Sequence, residues 1–367
     1  MDKVKIGIIG CGNISDIYLQ NLTKAFVNTQ VWAVCDKVEE RALLAQTKYN
    51  IPNVLSFDEI LSCPDIQIIV NLTTPQGHFE ICKKALEAGK HVYVEKPLSL
   101  EFEEGIELKE LAKKNNLLLG GAPDTFLGAG LQTCRKAIDD GLIGDVIGAT
   151  AFMVCHGHES WHPDPEFYYD IGGGPMLDMG PYYITALVSL IGPAKTVVGM
   201  NSITFSQRTI TSEKKFGEVI DVKVPTHVTG TIEFKNGAIA TVITSFDVWG
   251  STLPRIEIYG SRGTLVVPDP NTFGGEVKIQ TYFQNEFKEI PLTHIYSENS
   301  RGLGVADMAD AICNKRVNIA NGDLTAHVLE IMHAFGDSSQ KRAFIDLKTD
   351  CERPKPLNIG IIKGYVR

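Results

Sequence analysis

The sequence lacks the patterns that mark several classes of protein. Its eight cysteines are scattered through 367 residues without a single CxxC pair, which argues against a zinc module and against a disulfide framework. No run of like charge accompanies the net charge of −9, so neither nucleic acid nor an anionic membrane is predicted as a main partner. No apolar run reaches about 18 residues, and the N-terminus lacks the order of a signal peptide. The default expectation is a protein of a reducing cytoplasm.

The composition is that of a globular chain with more than one core. Hydrophobic residues make up 44% and charged residues 22% of the sequence. A length of 367 residues suits two domains better than one. We predict a first domain over residues 1–122 and a second domain over residues 123–367.

The two predicted domains differ in the rhythm of their elements. Residues 3–120 alternate strand and helix signals, which predicts an α/β fold with a doubly wound, six-stranded parallel sheet. Residues 194–292 carry mostly strand signals separated by turns, beginning with a strand at 197–205. This part predicts an α+β domain with a large open, mostly antiparallel sheet.

A glycine turn at the start of the chain has the form of a dinucleotide site. Gly10 and Gly12 permit a tight turn and close approach of the backbone to a pyrophosphate at a helix N-terminus. Asp36 ends the second predicted strand, where a carboxylate binds the ribose hydroxyls of NAD and repels the extra phosphate of NADP. The adjacent Lys37 softens that preference, so NAD is predicted with NADP possible. The alternative is a chance glycine turn.

A second polar cluster follows the apolar strand at 91–94, which ends in Glu95, Lys96 and Pro97. In an open α/β sheet, ligands bind outside the carboxyl ends of the strands. Oxidation of an alcohol by hydride transfer requires removal of a proton, which a lysine can accept if burial lowers its pKa toward neutrality. Glu95 and Lys96 point in opposite directions in an extended segment, so we do not expect them to pair. The alternative for Lys96 is a surface position.

The predicted second domain contributes an acid and a phenol. Three consecutive glycines, 172–174, precede a predicted helix. Because proline is tolerated in the first turn of a helix but not in its interior, Pro181 predicts that the helix begins near residues 177–178. Asp178 and Tyr182 are four residues apart and would share one face of that helix. They could hold a substrate hydroxyl or relay a proton. The alternatives are an N-cap for Asp178 and a packing role for Tyr182.

Four segments together resemble the glucose-fructose oxidoreductase, inositol dehydrogenase and rhizopine-catabolism (Gfo/Idh/MocA) family. They are GCGNIS at 10–15, Thr73-Thr74-Pro75 with His78, AGKHVYVEKP at 88–97 and GGGPMLDMGPYY at 172–183. The resemblance implies an N-terminal Rossmann domain, a C-terminal domain on an open antiparallel sheet, and NAD(P)-dependent chemistry on a sugar or polyol hydroxyl. It also implies a homodimer or homotetramer assembled through the open sheet face.

The resemblance assigns roles to particular residues. Lys96 would be catalytic, next to a cis proline bond, with Asp178 beside it. Family members usually carry a histidine where this chain has Tyr182, so the role of general base stays shared between Lys96 and Tyr182. The implied cofactor-binding residues are Gly10, Gly12, Asn13, Ile14, Asp36, Thr73, Thr74, Pro75, His78, Glu95 and Lys96. The implied substrate-binding residues are Lys96, Asp124, Trp161, His162, Asp178 and Tyr182.

A polar, aromatic loop lies between the two domains' motifs. His156, His158 and His162 fall within seven residues, but their spacing matches no zinc motif, so no metal is predicted. A substrate loop is the preferred interpretation, with Trp161 stacking on a sugar ring. Asp124 follows the last strand of the first domain and is expected to reach the cleft.

These observations predict an NAD(P)-dependent oxidoreductase that acts on a carbohydrate, cyclitol or sugar derivative. One alternative is a glycosidase that oxidises and re-reduces its sugar on a bound NAD. Another is a non-catalytic sensor that binds dinucleotide and a protein partner.

Overall fold

The computed structural model describes residues 3–367 and contains two sheets of different design. The strands of the first sheet are Val4–Ile9 (β1), Thr29–Cys35 (β2), Asn53–Val54 (β3), Ile68–Asn71 (β4), His91–Val94 (β5) and Leu119–Gly121 (β6). The helices between them are Ser15–Lys24 (α1), Glu39–Tyr49 (α2), Phe57–Ser62 (α3), His78–Glu87 (α4) and Phe102–Lys114 (α5). All six strands are parallel, in the order β3-β2-β1-β4-β5-β6. The predicted doubly wound sheet is confirmed.

Helices cover both faces of this sheet, which explains the continuous apolar runs of its strands. Ile6, Ile8, Ile68 and Val92 are fully buried. Because the strands are parallel, their carboxyl ends share one edge. The glycine turn after β1, Asp36 after β2 and Lys96 after β5 therefore lie along a single edge of the sheet.

The second sheet has nine strands and forms most of the remaining chain. Its members are Val146–Val154 (β7), Ala194–Ser202 (β8), His227–Phe234 (β11), Ile239–Ser245 (β12), Ile256–Gly260 (β13), Gly263–Val267 (β14), Val277–Thr281 (β15), Lys288–Ile290 (β16) and Ile345–Asp346 (β17). Neighbouring strands are antiparallel except β12 and β7. The helices of this part are Ala129–Asp139 (α6), Gly174–Asp178 (α7), Gly180–Ile191 (α8), Leu303–Cys313 (α9) and Gly322–Lys341 (α10).

One face of the nine-stranded sheet carries helices and the other is open. All residues of α8 are buried, as expected for a helix that is apolar all round. On the opposite face, register places Met200, Thr229, Ile243 and Phe152 in one row across four strands. This arrangement confirms the predicted open, mostly antiparallel sheet.

The helix predicted from residue 177 is divided in two. Pro175 lies in the first turn of α7, and Pro181 lies in the first turn of α8. A proline has no N–H and its ring clashes with the carbonyl four residues earlier, so one continuous helix cannot pass through Pro181. The break falls at Met179. Asp178 and Tyr182 therefore belong to two helices, and Asp178 ends α7 instead of capping a helix.

A short hairpin was absent from the predicted elements. Gln207–Thr209 (β9) pairs with Val219–Asp221 (β10) beside the large sheet. The strand predicted at 197–205 ends earlier, because β8 spans Ala194–Ser202. Strands of three residues are too short to give a periodic signal from which a hairpin could be predicted.

The end of the chain returns to the first sheet. Asn28 Nδ2 donates to Ala306 O at 2.8 Å, and Val27 N donates to Gly364 O at 3.1 Å. Helix α9 and the C-terminal segment therefore pack against the half of the molecule that contains the six-stranded sheet. The division at residue 122 stays a prediction. Among residues 3–367, no helix combines the length and apolar character required to cross a bilayer.

Candidate active site

The two glycines of the turn after β1 are required for different reasons. Gly10 has φ +98°, and a Cβ there would lie 2.8 Å from the carbonyl carbon of Leu72. At Gly12 a Cβ would meet nothing within 4 Å, so the space beside the N-terminus of α1 is open. Ser15 holds the turn by donating its hydroxyl to Gly12 O at 2.6 Å. The geometry suits a pyrophosphate against the helix N-terminus.

Asp36 is fixed at the end of β2 with both oxygens directed at backbone donors. Cys11 N donates to Oδ2 at 2.7 Å, and Val38 N donates to Oδ1 at 2.8 Å. Each carboxylate oxygen accepts more than one hydrogen bond, so capacity remains for ribose hydroxyls. Asn13 is exposed and Ile14 half-buried at the start of α1, on the border of the same space.

The loop after β4 is tied to the lysine segment through His78. Asn71 Oδ1 accepts the Thr73 hydroxyl at 2.7 Å, while Thr74 is exposed and Pro75 begins a short 3₁₀ turn. The buried ring of His78 lies between Pro97 O, 2.7 Å from Nδ1, and Thr73 O, 3.0 Å from Nε2. Burial lowers the pKa of His78, so at neutral pH the ring donates to one carbonyl at a time.

Glu95 braces the strand end against helix α1. Its Oε1 accepts the Tyr18 hydroxyl at 2.7 Å, and its Oε2 accepts Lys96 N at 3.0 Å. Burial raises the pKa of Tyr18 well above its ordinary value, which keeps the phenol protonated as a donor. Glu95 does not form an ion pair with the Lys96 ammonium, as predicted.

Lys96 and Asp178 join the two halves of the molecule. The Lys96 ammonium donates to Asp178 Oδ1 at 2.8 Å and to the Asp178 carbonyl at 2.7 Å. The peptide bond between Lys96 and Pro97 is cis. Burial acts to lower the pKa of Lys96, but Asp178, Tyr182 and Glu95 together outweigh it, and the pKa is raised. The expected lowering toward neutrality is therefore absent, and the free protein holds Lys96 as an ammonium ion.

Tyr182 lies against the lysine, with its ring centroid 5.6 Å from Lys96 Nζ and 7% of the residue exposed. Burial raises the pKa of Tyr182, although Lys96 and Arg301 act in the opposite direction. Arg301 reaches this site from the segment before α9, where its guanidinium donates to Asn271 Oδ1 at 2.6 Å. The sequence offers no signal for Arg301, because it lies more than a hundred residues from the motifs.

The loop after β7 places one histidine at the site, and it is not the one predicted. Trp161 is 62% exposed at the border of the cleft. His162 Nδ1 accepts Asp164 N at 3.0 Å and so stabilises its own loop. His158 faces the site instead, with Nε2 4.0 Å from Asp178 Oδ2. Within residues 3–367, no group of three His, Cys, Asp or Glu side chains is arranged to hold a metal ion.

The carboxylate of Asp124 accepts hydrogen bonds from backbone donors, and its contact with a substrate stays a prediction. The residue is 1% exposed, and its Oδ2 accepts the backbone N–H groups of Gly302 and Gly304 at 2.9 and 3.0 Å. Burial raises its pKa to about 6. Asp124 therefore anchors the start of α9.

Two family models match the two parts of the chain. Residues 4–121 match the oxidoreductase family with an NAD-binding Rossmann fold, and residues 131–266 match the GFO/IDH/MocA C-terminal domain. The chain belongs to the Gfo/Idh/MocA family.

Curated relatives are similar over different shares of the chain. An uncharacterized oxidoreductase of Schizosaccharomyces pombe is 31% identical over 206 residues, so this chain spans about half, 54%, of that relative's length. D-glucoside 3-dehydrogenase of Escherichia coli is 28% identical over 355 residues, 94% of this chain and 97% of the relative. Myo-inositol 2-dehydrogenase of Thermotoga maritima is 24% identical over a match that covers 71% of this chain and 74% of the relative's length.

Solved structures share the fold. Levoglucosan dehydrogenase in complex with NADH superimposes with a TM-score of 0.80 at 20% identity, covering 95% of this chain and 100% of its own. An NAD-binding oxidoreductase from Klebsiella pneumoniae gives a TM-score of 0.83 at 18% identity with the same coverage.

Proposed function

We propose that the protein transfers a hydride between a nicotinamide cofactor and a hydroxyl or keto group of a sugar, cyclitol or sugar derivative. The observation that carries this proposal is the Lys96 ammonium, held by Asp178 of the other half of the molecule at the carboxyl edge of the NAD-binding sheet. The named activities of the inositol and glucoside dehydrogenase relatives support the same substrate class.

The residues present fit a dinucleotide. Asp36 after β2, the open space at Gly12 after β1 and the loop at 73–75 after β4 follow one another along one edge of the sheet. This is the order of adenosine ribose, pyrophosphate and nicotinamide in a dinucleotide. When bound, NAD supplies the hydride acceptor. Glu95 and His78 hold the strand ends that carry these contacts.

The protein's own chemistry is proton transfer at the substrate oxygen. As an ammonium ion, Lys96 donates a proton to a keto oxygen in the reduction direction, and the neutral amine accepts a hydroxyl proton in oxidation. Asp178 Oδ1 orients the amine in both directions. Tyr182 keeps its proton because burial raises its pKa, so it serves as a hydroxyl donor beside Lys96.

A screen of sugars and cyclitols with NAD and NADP tests the proposal, with absorbance of the reduced cofactor as the readout. A dehydrogenase produces NADH steadily from at least one substrate. A glycosidase of the NAD-dependent type releases aglycone without net NADH, and a sensor binds NADH without turnover. Either of the last two outcomes, across the whole screen, would overturn the proposal in favour of that alternative.

The choice between NAD and NADP is predicted to depend on Asp36. Replacing Asp36 with serine removes the charge that repels a 2′-phosphate and the acceptors for ribose hydroxyls. We expect kcat/KM with NAD to fall about 10–100-fold and the ratio of NADP to NAD activity to rise. Glu40→Ala, on the exposed face of α2, is the matched control. An unchanged KM for NAD in Asp36→Ser would contradict the role of Asp36.

We infer that the protein assembles as a homodimer or homotetramer through the open face of the nine-stranded sheet. Met200 and Ile239 on that face are 73% and 55% exposed, and a broad face of this kind is costly to leave in water. Light scattering after gel filtration should give two or four times the 40.3 kDa chain mass. A monomer at micromolar concentration would contradict this assembly.

A further inference from the structure

We propose that His158 and Asp178 together bind one substrate hydroxyl, next to the oxygen that reacts at Lys96, and so select for a vicinal diol. This inference rests on the proposed dehydrogenase function and deepens it. It assigns a specificity-determining role to a histidine from the loop after β7.

The separation of the two polar atoms is the first argument. His158 Nε2 and Asp178 Oδ2 are 4.0 Å apart, which is too far for a direct hydrogen bond. A single oxygen between them can lie about 2.8 Å from each, with an angle of about 90° at that oxygen. A hydroxyl both donates and accepts, so it can donate to the carboxylate while accepting from the imidazole.

The remaining hydrogen bonds of Asp178 leave that oxygen available. Lys96 donates to Oδ1 and to the carbonyl, whereas Oδ2 accepts no hydrogen bond from any residue within 3–367. One carboxylate therefore faces the catalytic amine with one oxygen and the proposed hydroxyl site with the other. Neighbouring hydroxyls on a sugar or cyclitol ring match this arrangement, because one reacts at Lys96 and the next one binds at Oδ2.

The protonation of His158 supplies the required donor. Burial lowers the pKa of His158 to about 4, so the ring is neutral at pH 7 and carries one N–H. Nδ1 is buried and has no hydrogen-bonding partner within the described residues. An unpartnered buried N–H is more costly than an unpartnered lone pair, so we assign the proton to Nε2. That atom faces Asp178.

The ring is held in place from three sides. It stacks on Tyr168 at 3.7 Å between centroids, and it meets the edge of Phe246 at 4.5 Å. The backbone N–H of His158 donates to Glu159 Oε2 at 2.9 Å, and Arg208 Nη1 donates to Oε1 of the same carboxylate at 2.7 Å. A donor held this rigidly discriminates by hydrogen bonding, because a substrate without the hydroxyl leaves the imidazole N–H and the carboxylate oxygen without that partner.

Two substitutions distinguish the contribution of the His158 hydrogen-bond donor from that of its aromatic packing. His158→Phe keeps an aromatic ring against Tyr168 and removes the donor, while His158→Gln keeps a donor at the Nε2 position. The probe is the best substrate of the screen, together with its two monodeoxy analogues that lack the hydroxyl on either neighbouring carbon. His227→Phe, on β11, is the matched control for a histidine-to-phenylalanine change.

We expect His158→Phe to lower kcat/KM on the full substrate by about 10–100-fold, and His158→Gln to recover most of it. The wild-type kcat/KM should be lower by a similar factor on one of the two monodeoxy analogues than on the full substrate. On that analogue, His158→Phe should lower kcat/KM by no more than about twofold relative to wild type, because the hydroxyl that His158 binds is already missing. NADH affinity and the melting temperature should match those of His227→Phe.

Three results would overturn this inference while leaving the proposed function intact. They are wild-type kcat/KM in His158→Phe, an equal loss in His158→Gln, or the same penalty for His158→Phe on the full substrate and on both analogues. If wild type oxidises no member of the screen, the proposed function itself fails, and this inference fails with it.

Discussion

Replacing Lys96 with methionine should lower kcat for sugar oxidation by about 10²–10⁴-fold, the range that general acid–base groups contribute. The substitution removes the Lys96 amine. Among residues 3–367, no other side-chain nitrogen lies within hydrogen-bonding distance of Asp178 Oδ1. The glycine turn and Asp36 are unaffected, so NADH should bind as in wild type. Loss of turnover with retained NADH binding, measured by fluorescence, is the expected pattern.

Lys109→Met is the matched control for this change, because Lys109 pairs with Asp323 away from the cleft. Lys96→Arg keeps the positive charge near Asp178 but cannot release a proton at accessible pH. It should therefore bind NADH and fold as wild type while remaining inactive. A Lys96→Met enzyme with wild-type kcat would refute proton transfer by Lys96.

The raised pKa of Lys96 also sets the sign of the pH dependence. Below that pKa the ammonium form dominates, and oxidation requires the neutral amine. Oxidation should become faster by up to about tenfold per pH unit as pH rises, while reduction of the keto product should not. Comparing the profile of wild type with that of Tyr182→Phe resolves the general base: retention of the rise in Tyr182→Phe assigns it to Lys96, and its loss assigns it to Tyr182.

The features predicted correctly from the sequence are those with a local cause. A glycine turn between an apolar strand and a helix depends on residues that are adjacent in the chain. Gly10 has the positive φ of a tight turn, and the space beside Gly12 is open. The parallel order of β1 to β6 follows from the alternation of strands and helices. Lys96 lies at the carboxyl edge of the first sheet because it stands two residues after Val94, the last residue of β5.

The features that sequence patterns did not predict depend on contacts between distant segments. His158 and His162 stand in one irregular loop, and only the packing of Tyr168 and Phe246 decides which ring faces Asp178. Asp124 follows β6 at the carboxyl edge of the first sheet, but its carboxylate accepts hydrogen bonds from the N–H groups of Gly302 and Gly304, which are distant in sequence. Periodicity carries no information about either choice.

Replacing Arg208 with methionine should destabilise the protein by about 3–5 kcal/mol, the second large effect that we expect. Arg208 is 5% exposed on β9 and donates to Glu159 Oε1 at 2.7 Å, to Asp247 and to the Phe246 carbonyl at 3.0 Å. Without the guanidinium, the carboxylates of Glu159 and Asp247 lose the cation that pairs with both of them. The free energy of unfolding in urea, followed by circular dichroism, measures the loss.

Lys195→Met provides the comparison, because Lys195 forms an ion pair with Glu233 in which the two side chains are 57% and 42% exposed. Removing such a surface pair should cost no more than about 1 kcal/mol. The Arg208 change also loosens Glu159, which holds the backbone of His158, so kcat/KM should fall together with stability in Arg208→Met alone. A loss in Arg208→Met no larger than that in Lys195→Met would show that the hairpin β9–β10 does not hold the loop after β7. In a second background, Glu159→Gln with Asp247→Asn removes both charges, and there Arg208→Met should cost far less, because no buried carboxylate is left without a partner.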